Sequence, residues 1–504
     1  MEISSSARMT IIVIFAIYTV VLLAYGLYSS KYMKGEGDFM AKFATGGKSA
    51  GAFVTAMTVC AGIAGAGVFM GVPGFIVTNG AAWLVCCFWS MSGTLFTLGI
   101  VGKKTGIVGR RINAQTFTEL LMHRFENSRA VAGISSVIIL LFLGAFAVST
   151  ITGGGRIFQV LTGLDYRIGL SIFTVLVIIA AITGGFKGVT TTIMIQGIVM
   201  TLSVIVLFCF GIGSAGSLGE AVRAIHTADP TWWSMKLPWS MVVSFALLWG
   251  FGSFTLPHVC MGSLSYNSTE TMHRAIKIGI VCFAAWLVCL NLLVIPAMAT
   301  LASTLPSADL TIPTLAVKVC PPWVAGLILA GVCAAVQSTL GGMLLTLSTT
   351  FAQDLYVHAI NPKADAEKLK KFSLGGTVVI ALIICAFAWD PPALLASLIT
   401  YGSGGLLAAF LGTMLLGYYW KGMNKYGAIV TMLSGIVLYI MMDRSILPKA
   451  LALGMNPSIM AGVYGAILGV IVAKLTPKTP YGIMCVWFGE DYPEECAVCG
   501  EPKD

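Results

Sequence analysis

Apolar runs long enough to cross a bilayer recur along this sequence from its first residues almost to its end, and nothing else in it constrains the fold as strongly. A helix of about 20 predominantly apolar residues spans the hydrocarbon core. Thirteen segments approach or exceed that length, near residues 10–28, 50–74, 79–101, 129–153, 166–184, 189–212, 238–256, 273–299, 322–351, 372–389, 393–417, 424–442 and 459–475. Barrel strands are excluded, because the runs lack period-two alternation and are too long. Composition agrees: 57% of residues are hydrophobic and 10% charged, against about 25% charged in a soluble domain. The first run lacks a charged leading segment and a small-residue cleavage site, so it reads as a span rather than a signal peptide. The expectation is an all-α integral membrane protein with about thirteen transmembrane helices and no soluble domain.

Charge sets the expected orientation. Most of the 30 Lys and Arg fall on one side if the N-terminus lies outside and the C-terminus in the cytoplasm. They include Lys31, Lys34, Lys42, Lys48, Lys103, Lys104, Arg110, Arg111, Lys363, Lys368, Lys370 and Lys371. Enrichment of Lys and Arg in cytoplasmic loops is the positive-inside rule. The net charge of +9 therefore reports topology in a cell membrane. A nucleic-acid partner is not expected, since the basic residues sit in short loops between spans. The loop at 102–128 contains INAQTFTELLMHRF, whose apolar spacing predicts an amphipathic helix on the inner surface. Cys60, Cys86, Cys87, Cys209 and Cys282 lie inside spans and read as apolar fillers. Cys485, Cys496 and Cys499 in the tail are half of a zinc or redox pattern, set against an unstructured tail.

Glycine marks the informative irregularities. The second span carries Gly62, Gly65, Gly67 and Gly71 before Pro73, and the seventh carries Gly250 and Gly252 before Pro257. Both residue types interrupt helices and free backbone groups, which survive at membrane depth only against protein or a water-lined cavity. Close helix packing through small residues explains either segment alone. Paired interruptions five spans apart favour a transporter binding site between two inverted repeats.

The acidic residues add a second constraint. Glu119, Asp165, Asp229, Asp309, Asp354 and Asp390 fall in loops or span ends, and none lies mid-span. Intramembrane proton relays use Asp, Glu or His, and His258, next to Pro257, reads as a loop-end hydrogen bonder. Paired carboxylates or a nucleophile with its base are likewise missing at membrane depth, so an enzyme is not expected. A hard cation such as sodium needs only oxygen ligands. In the ninth span Ala335, Ser338 and Thr339 share one helical face. If that face meets the break at Ala61–Ala64, their oxygens converge.

The stretches FATGGKSAGAFVTAMT, MGVPG, ITGGFKGV, LPHVCMGSLSY, LTIPTLAVKVCPP, CAAVQSTLGGMLLTLSTTFAQDLY and AWDPP make the chain resemble the sodium:solute symporter family along nearly its whole length, and within it the bacterial sodium/pantothenate branch. The resemblance implies thirteen spans, an outside N-terminus and a LeuT-like five-plus-five inverted-repeat core with broken helices. It also implies a sodium site made of the carbonyls of Ala61, Ala64 and Ala335 and the hydroxyls of Ser338 and Thr339. The chain departs from relatives at Ile63 and Ile193, where they carry Asp, and at Gly262, where several carry Arg. The expected organisation is an outer helix and first inner loop at 1–49, repeats at 50–212 and 238–417, peripheral spans at 418–476 and a cytoplasmic tail at 477–504.

The expected solute pocket is uncharged and lined by Gly65, Phe69, Trp83, Trp249, Phe251, Ser253 and Tyr401, with the amide ends of half-helices available to a carboxylate. Arg156 reads as an interface anchor. The function expected is sodium-coupled symport of a small organic solute, a pantothenate-like monocarboxylate first, an amino acid, other carboxylate or sugar second. A weakly coupled facilitator or sensor on the same fold is the alternative from another class.

Overall fold

A computed structural model of the chain describes residues 5–29, 39–234, 236–301, 305, 307–361, 366–391 and 395–489. Among them all regular structure is helical, apart from an isolated bridge between Ala50 and Tyr266. The helices are α1 (Ser5–Ser29), α2 (Ala52–Asn79), α3 (Trp83–Arg111), α4 (Arg129–Thr162), α5 (Tyr166–Ile182), α6 (Gly188–Ser214), α7 (Trp239–Trp249), α8 (Pro257–Leu264), α9 (Thr269–Leu301), α10 (Pro322–His358), α11 (Leu369–Phe387), α12 (Leu395–Tyr419), α13 (Lys425–Asp443) and α14 (Pro457–Leu475). Every predicted apolar run is helical. Eleven helices are long and apolar enough to cross a membrane, and α5 and α7 are shorter apolar helices. The seventh run falls short because its helix stops at Gly250 and resumes only at Pro257.

Backbone assignment carries one helix from Tyr166 to Ser214, a length of about 74 Å if straight. The packing turns it back. Arg8 at one end of α1 meets Gly163, just before α5, and Gly26 at the other end meets Thr192, early in α6. α5 and α6 thus run in opposite directions beside α1.

Burial separates a core from a periphery. α10 is 89% buried along its apolar stretch and α1 only 22%, so α10 is the hub and α1 a lipid-facing outer helix. α10 packs on α6, α4, α1 and α2, while α13 and α14 pack on each other and on α12. Small residues permit the close approaches: a Cβ on Gly331 of α10 would meet Ser203 Oγ of α6 at 2.3 Å.

The basic end of the bundle is braced by side chains on backbone. The predicted amphipathic helix is present as Phe117–Arg124, opened by a capping box between Thr116 and Glu119. Its apolar side is buried against the bundle. Phe117 packs edge-on against Phe410 of α12, and the fully buried Arg124 donates to Gly417 O and Trp420 O. The first part of the predicted tail is also ordered, as the helix Tyr481–Phe488, whose Trp487 donates to His123 Nδ1 at 3.2 Å. Cys485 is buried there, while Cys496 and Cys499 lie outside the described residues. The described cysteines are free thiols, Cys60 and Cys86 buried among them.

At the opposite end Arg156 is not an interface anchor. It is buried and pairs with buried Asp309, whose Oδ2 also accepts from Leu395 N at 2.9 Å. The pair ties α4 to the turn Ala308–Leu310 and to the start of α12. Removing either partner would leave a buried charge, a loss of about 3–5 kcal/mol.

Candidate ion and solute site

α2 breaks at one residue. Gly65 has φ 5° and ψ −157° inside otherwise helical backbone, and the next turn, Gly67–Gly71, is a wide π turn. An α-helix bonds each carbonyl to the N–H four residues on, so a break at Gly65 disturbs the ladder beside the carbonyls of Ala61 and Gly62. Each finds a side chain from another helix. Thr339 Oγ1 of α10 donates to Ala61 O at 2.5 Å. His258 Nε2 of α8 lies 3.1 Å from Gly62 O, which places the proton on that nitrogen. His258 is thus the hydrogen bonder expected from its position beside Pro257.

Four of the predicted ion ligands come together here. Thr339 Oγ1 is also 3.0 Å from Ala335 O, and Ser338 Oγ donates to the same carbonyl at 3.0 Å. Ala64 joins them through the chain, its carbonyl accepting from Gly67 N. Gly65 is required by proximity: a Cβ there would sit 2.8 Å from Thr339 Oγ1 and 3.0 Å from its methyl. Ala61, Ala64, Ala335, Ser338 and Thr339 are all buried. The result is a dry cluster of carbonyls and hydroxyls with no carboxylate among them, the donor set a hard monovalent cation accepts.

The second break is longer and satisfies itself. α7 ends at Gly250 (φ −84°, ψ −82°), a 3₁₀ segment covers Phe251–Thr255, and Leu256 is extended before α8. Ser253 Oγ donates to Trp249 O at 2.7 Å and Thr255 Oγ1 to Gly252 O at 2.7 Å. α3 presses directly on the turn, since a Cβ on Gly93 would lie 2.3 Å from Gly250 O.

Between the breaks lies a cavity of about 60 Å³, bounded by Ile63, Gly67, Val68 and Gly71 of α2, Ser90 of α3, Phe146 of α4, Trp249 of α7, Ser253 and Leu256, and Ala396, Ile399 and Ser403 of α12. Its lining among the described residues carries no charge. The hydroxyls of Ser90 and Ser403 are turned back on Cys87 O and Ile399 O, so the wall is apolar in effect. That volume holds about two waters, whereas a small-molecule pocket needs about 300–1,000 Å³. The cavity as it stands is smaller than that, so its lining helices must part to admit a solute.

Two of the predicted solute residues, Trp249 and Ser253, line this cavity. Trp83 stands behind Trp249 in an aromatic layer with Phe75 and Phe245, its ring 5.8 Å from that of Trp249. Gly65 faces Thr339 instead. Phe69 is buried edge-on against Trp286, Phe251 packs on Phe96, and Tyr401 packs on Phe142 and Tyr439 beside a surface groove. Reading along the chain missed Phe146, Ile399 and Ser403, because single apolar and small residues on a helix carry no signal of which face meets a cavity. Among the departures from relatives, Ile63 lines the cavity. Gly262 has no room for a side chain, a Cβ there meeting Val59 Cγ2 at 2.8 Å.

An apolar cavity between two interrupted helices, beside an acid-free cluster of oxygens, is the construction of a secondary transporter that couples a solute to a cation. Comparison with known proteins narrows this. The model of the sodium:solute symporter family matches residues 43–435, and the chain belongs to that family. The chain is 33% identical over 433 residues to the sodium/pantothenate symporter of Escherichia coli (strain K12), covering 84% of this chain and 88% of that one. It is 26% identical over 468 residues to the high-affinity proline transporter PutP of Bacillus subtilis (strain 168), covering 91% and 96%. Its fold matches that of a Na+-coupled sialic acid symporter in a substrate-bound outward-open state, with a TM-score of 0.77 at 20% identity over 94% of this chain and 99% of that one. The chain is a multi-pass plasma-membrane symporter that moves a small solute with Na+ as coupling ion.

Proposed function

We propose that this symporter carries a pantothenate-like monocarboxylate into the cell by alternating access. Na+ binds among the carbonyls of Ala61, Ala64 and Ala335 and the hydroxyls of Ser338 and Thr339, and the solute occupies the cavity beside Trp249 and Ser253. The observation that carries the reading is the Thr339 hydroxyl lying on the Ala61 carbonyl beside the break at Gly65. An ion entering there takes over that carbonyl and draws α2 and α10 together, so sodium and solute share the broken segment of α2. The similarity to a pantothenate symporter supports the solute class. So does the cavity: the half-helices resuming after Gly65 and at Pro257 point their N-termini toward its walls at Gly67 and Leu256. Helix N-termini favour an anion even where no basic side chain is present.

The two repeats are residues 50–212 and 238–417, with 1–49 and 418–476 peripheral and 477–504 a C-terminal segment. The basic end, with Lys48, Lys104 and Arg124, is cytoplasmic, and the N-terminus is outside. Proteoliposomes test the reading. An inward Na+ gradient should drive accumulation of labelled pantothenate, a K+ gradient should not, and excess proline or glucose should leave uptake intact. Competition by proline but not by pantothenate would replace the solute. Ser338→Ala/Thr339→Ala should abolish the Na+ stimulation while the protein still reaches the membrane, and stimulation unchanged in that double variant would remove the site.

A further inference from the structure

The most acidic buried cluster in the described chain lies far from the sodium cluster, at the basic end. It is about 22 Å further along α10 than Thr339, at 1.5 Å per residue. Asp354 is fully buried near the end of α10. Glu119 projects from the surface helix Phe117–Arg124, and His358 stands one turn beyond Asp354. His358 Nε2 is 3.7 Å from Glu119 Oε1 and Nδ1 is 3.8 Å from Asp354 Oδ1. One ligand atom from each residue lies within 4.8 Å of the other two.

Hydrogen bonds account for only part of this cluster. Asp354 Oδ1 accepts from Thr116 Oγ1 at 2.6 Å. Glu119 accepts from Gln353 Nε2 through Oε1 and from the Gln115 and Thr116 amides through Oε2. Asp354 Oδ2 and Gln353 Oε1 are buried without a hydrogen-bond partner. The hydroxyls of Thr118 and Thr350 also bear on the Asp354 carboxylate. The nearby Lys48 amine is held elsewhere, on Gly109 O at 2.8 Å and Asn113 Oδ1 at 3.2 Å. Two carboxylates and an imidazole thus stand together in a largely buried site, with oxygens left over for a cation.

We propose that Glu119, Asp354 and His358 form a binding site for one divalent transition-metal ion of the zinc class. Two carboxylate oxygens and one imidazole nitrogen make three protein ligands, with a fourth position left for water. The imidazole selects against magnesium and calcium, which prefer oxygen alone. Metal–ligand bonds of about 2.0–2.2 Å bring the donors closer than they now stand. The movement falls on the His358 ring, whose side chain is 22% exposed and opens the site to ions from the basic end. The ion clamps the helix Phe117–Arg124 to α10, reinforcing the Thr116–Asp354 bond.

The site is tested on purified full-length protein with Cys496 and Cys499 replaced by Ser in every arm, because thiolates are zinc ligands and would compete in the metal count. Metal content after dialysis against buffered Zn2+ should be one per chain. Zn2+, but not Mg2+, should raise the melting temperature by a few degrees. His358→Ala should lose both effects. His358→Lys, which puts a fixed cation between the carboxylates, should bind no zinc and should melt without metal as high as the zinc-loaded parent. A parent that takes up no zinc overturns the proposal, as does zinc content in either His358 variant equal to the parent's.

Discussion

The two interrupted helices leave the same kind of debris, bare backbone carbonyls inside the membrane, and dispose of it differently. At the second break Ser253 and Thr255 bond back to Trp249 O and Gly252 O within their own turn. At the first, Ala61 O and Gly62 O are met by Thr339 and His258, residues 278 and 196 positions away. A carbonyl satisfied by its own turn has nothing to offer an ion. One satisfied only by a neighbouring helix can exchange that hydroxyl for a cation, and the exchange alters the contact between helices. The first break therefore suits coupling, and the second suits shaping the cavity that Trp249, Ser253 and Leu256 line.

Five substitutions sharpen or break this contrast. The largest effect belongs to Gly65→Ala. Its methyl would sit 2.8 Å from Thr339 Oγ1 and separate α2 from α10, so sodium-stimulated uptake should fall to the basal level while the protein still reaches the membrane. Gly252→Ala meets only the flexible Leu407 Cδ1 at 2.8 Å and should keep stimulation. Equal losses in the two variants would erase the distinction between the breaks.

Thr339→Ala comes next. Loss of the oxygen that spans Ala61 and Ala335 should raise the sodium concentration for half-maximal uptake by at least about 10-fold, with solute affinity at saturating sodium little changed. A sodium titration that superimposes on the parent's would place the ion elsewhere.

His258→Ala should act on stability more than on coupling. Leaving Gly62 O buried without its donor costs about 1–3 kcal/mol, visible as a lower melting temperature in detergent with sodium dependence retained. An unchanged melting curve would mean that the carbonyl finds another partner.

The smallest effect is expected of Ser253→Ala. A local hydrogen bond contributes about 0.5–1.5 kcal/mol, so the solute KM should rise by no more than about 10-fold. The sodium response should stay in place, and a shift in it would show that the second break also takes part in ion binding.

Much of this molecule is legible along the chain. The thirteen apolar runs are all helices, and the glycines at 65 and 250 mark the residues where α2 and α7 depart from helical geometry. Ala335, Ser338 and Thr339 share a face because helical spacing puts them there. The aromatic residues of the pocket were less legible. Trp249 lines the cavity, whereas Phe69, Phe251 and Tyr401 turn to other rings. A large apolar side chain near a break gains as much by packing as by facing a solute, and sequence does not distinguish the two. Arg156 shows the same limit for charge, its guanidinium being spent on buried Asp309 rather than at a lipid interface.

By itself the sequence determined the membrane, the helical runs that can cross it, the places where helices fail and the lack of an acid in the middle of those runs. These follow from local quantities: the length of an apolar run, the missing Cβ of glycine, the missing N–H of proline. Only the tertiary structure decided which hydroxyl answers Ala61, that His258 answers Gly62, which walls close the cavity, and that Glu119, Asp354 and His358 meet at one end. Each of those depends on atoms brought together from distant parts of the chain, and helical period fixes a side chain's face without fixing what stands opposite it.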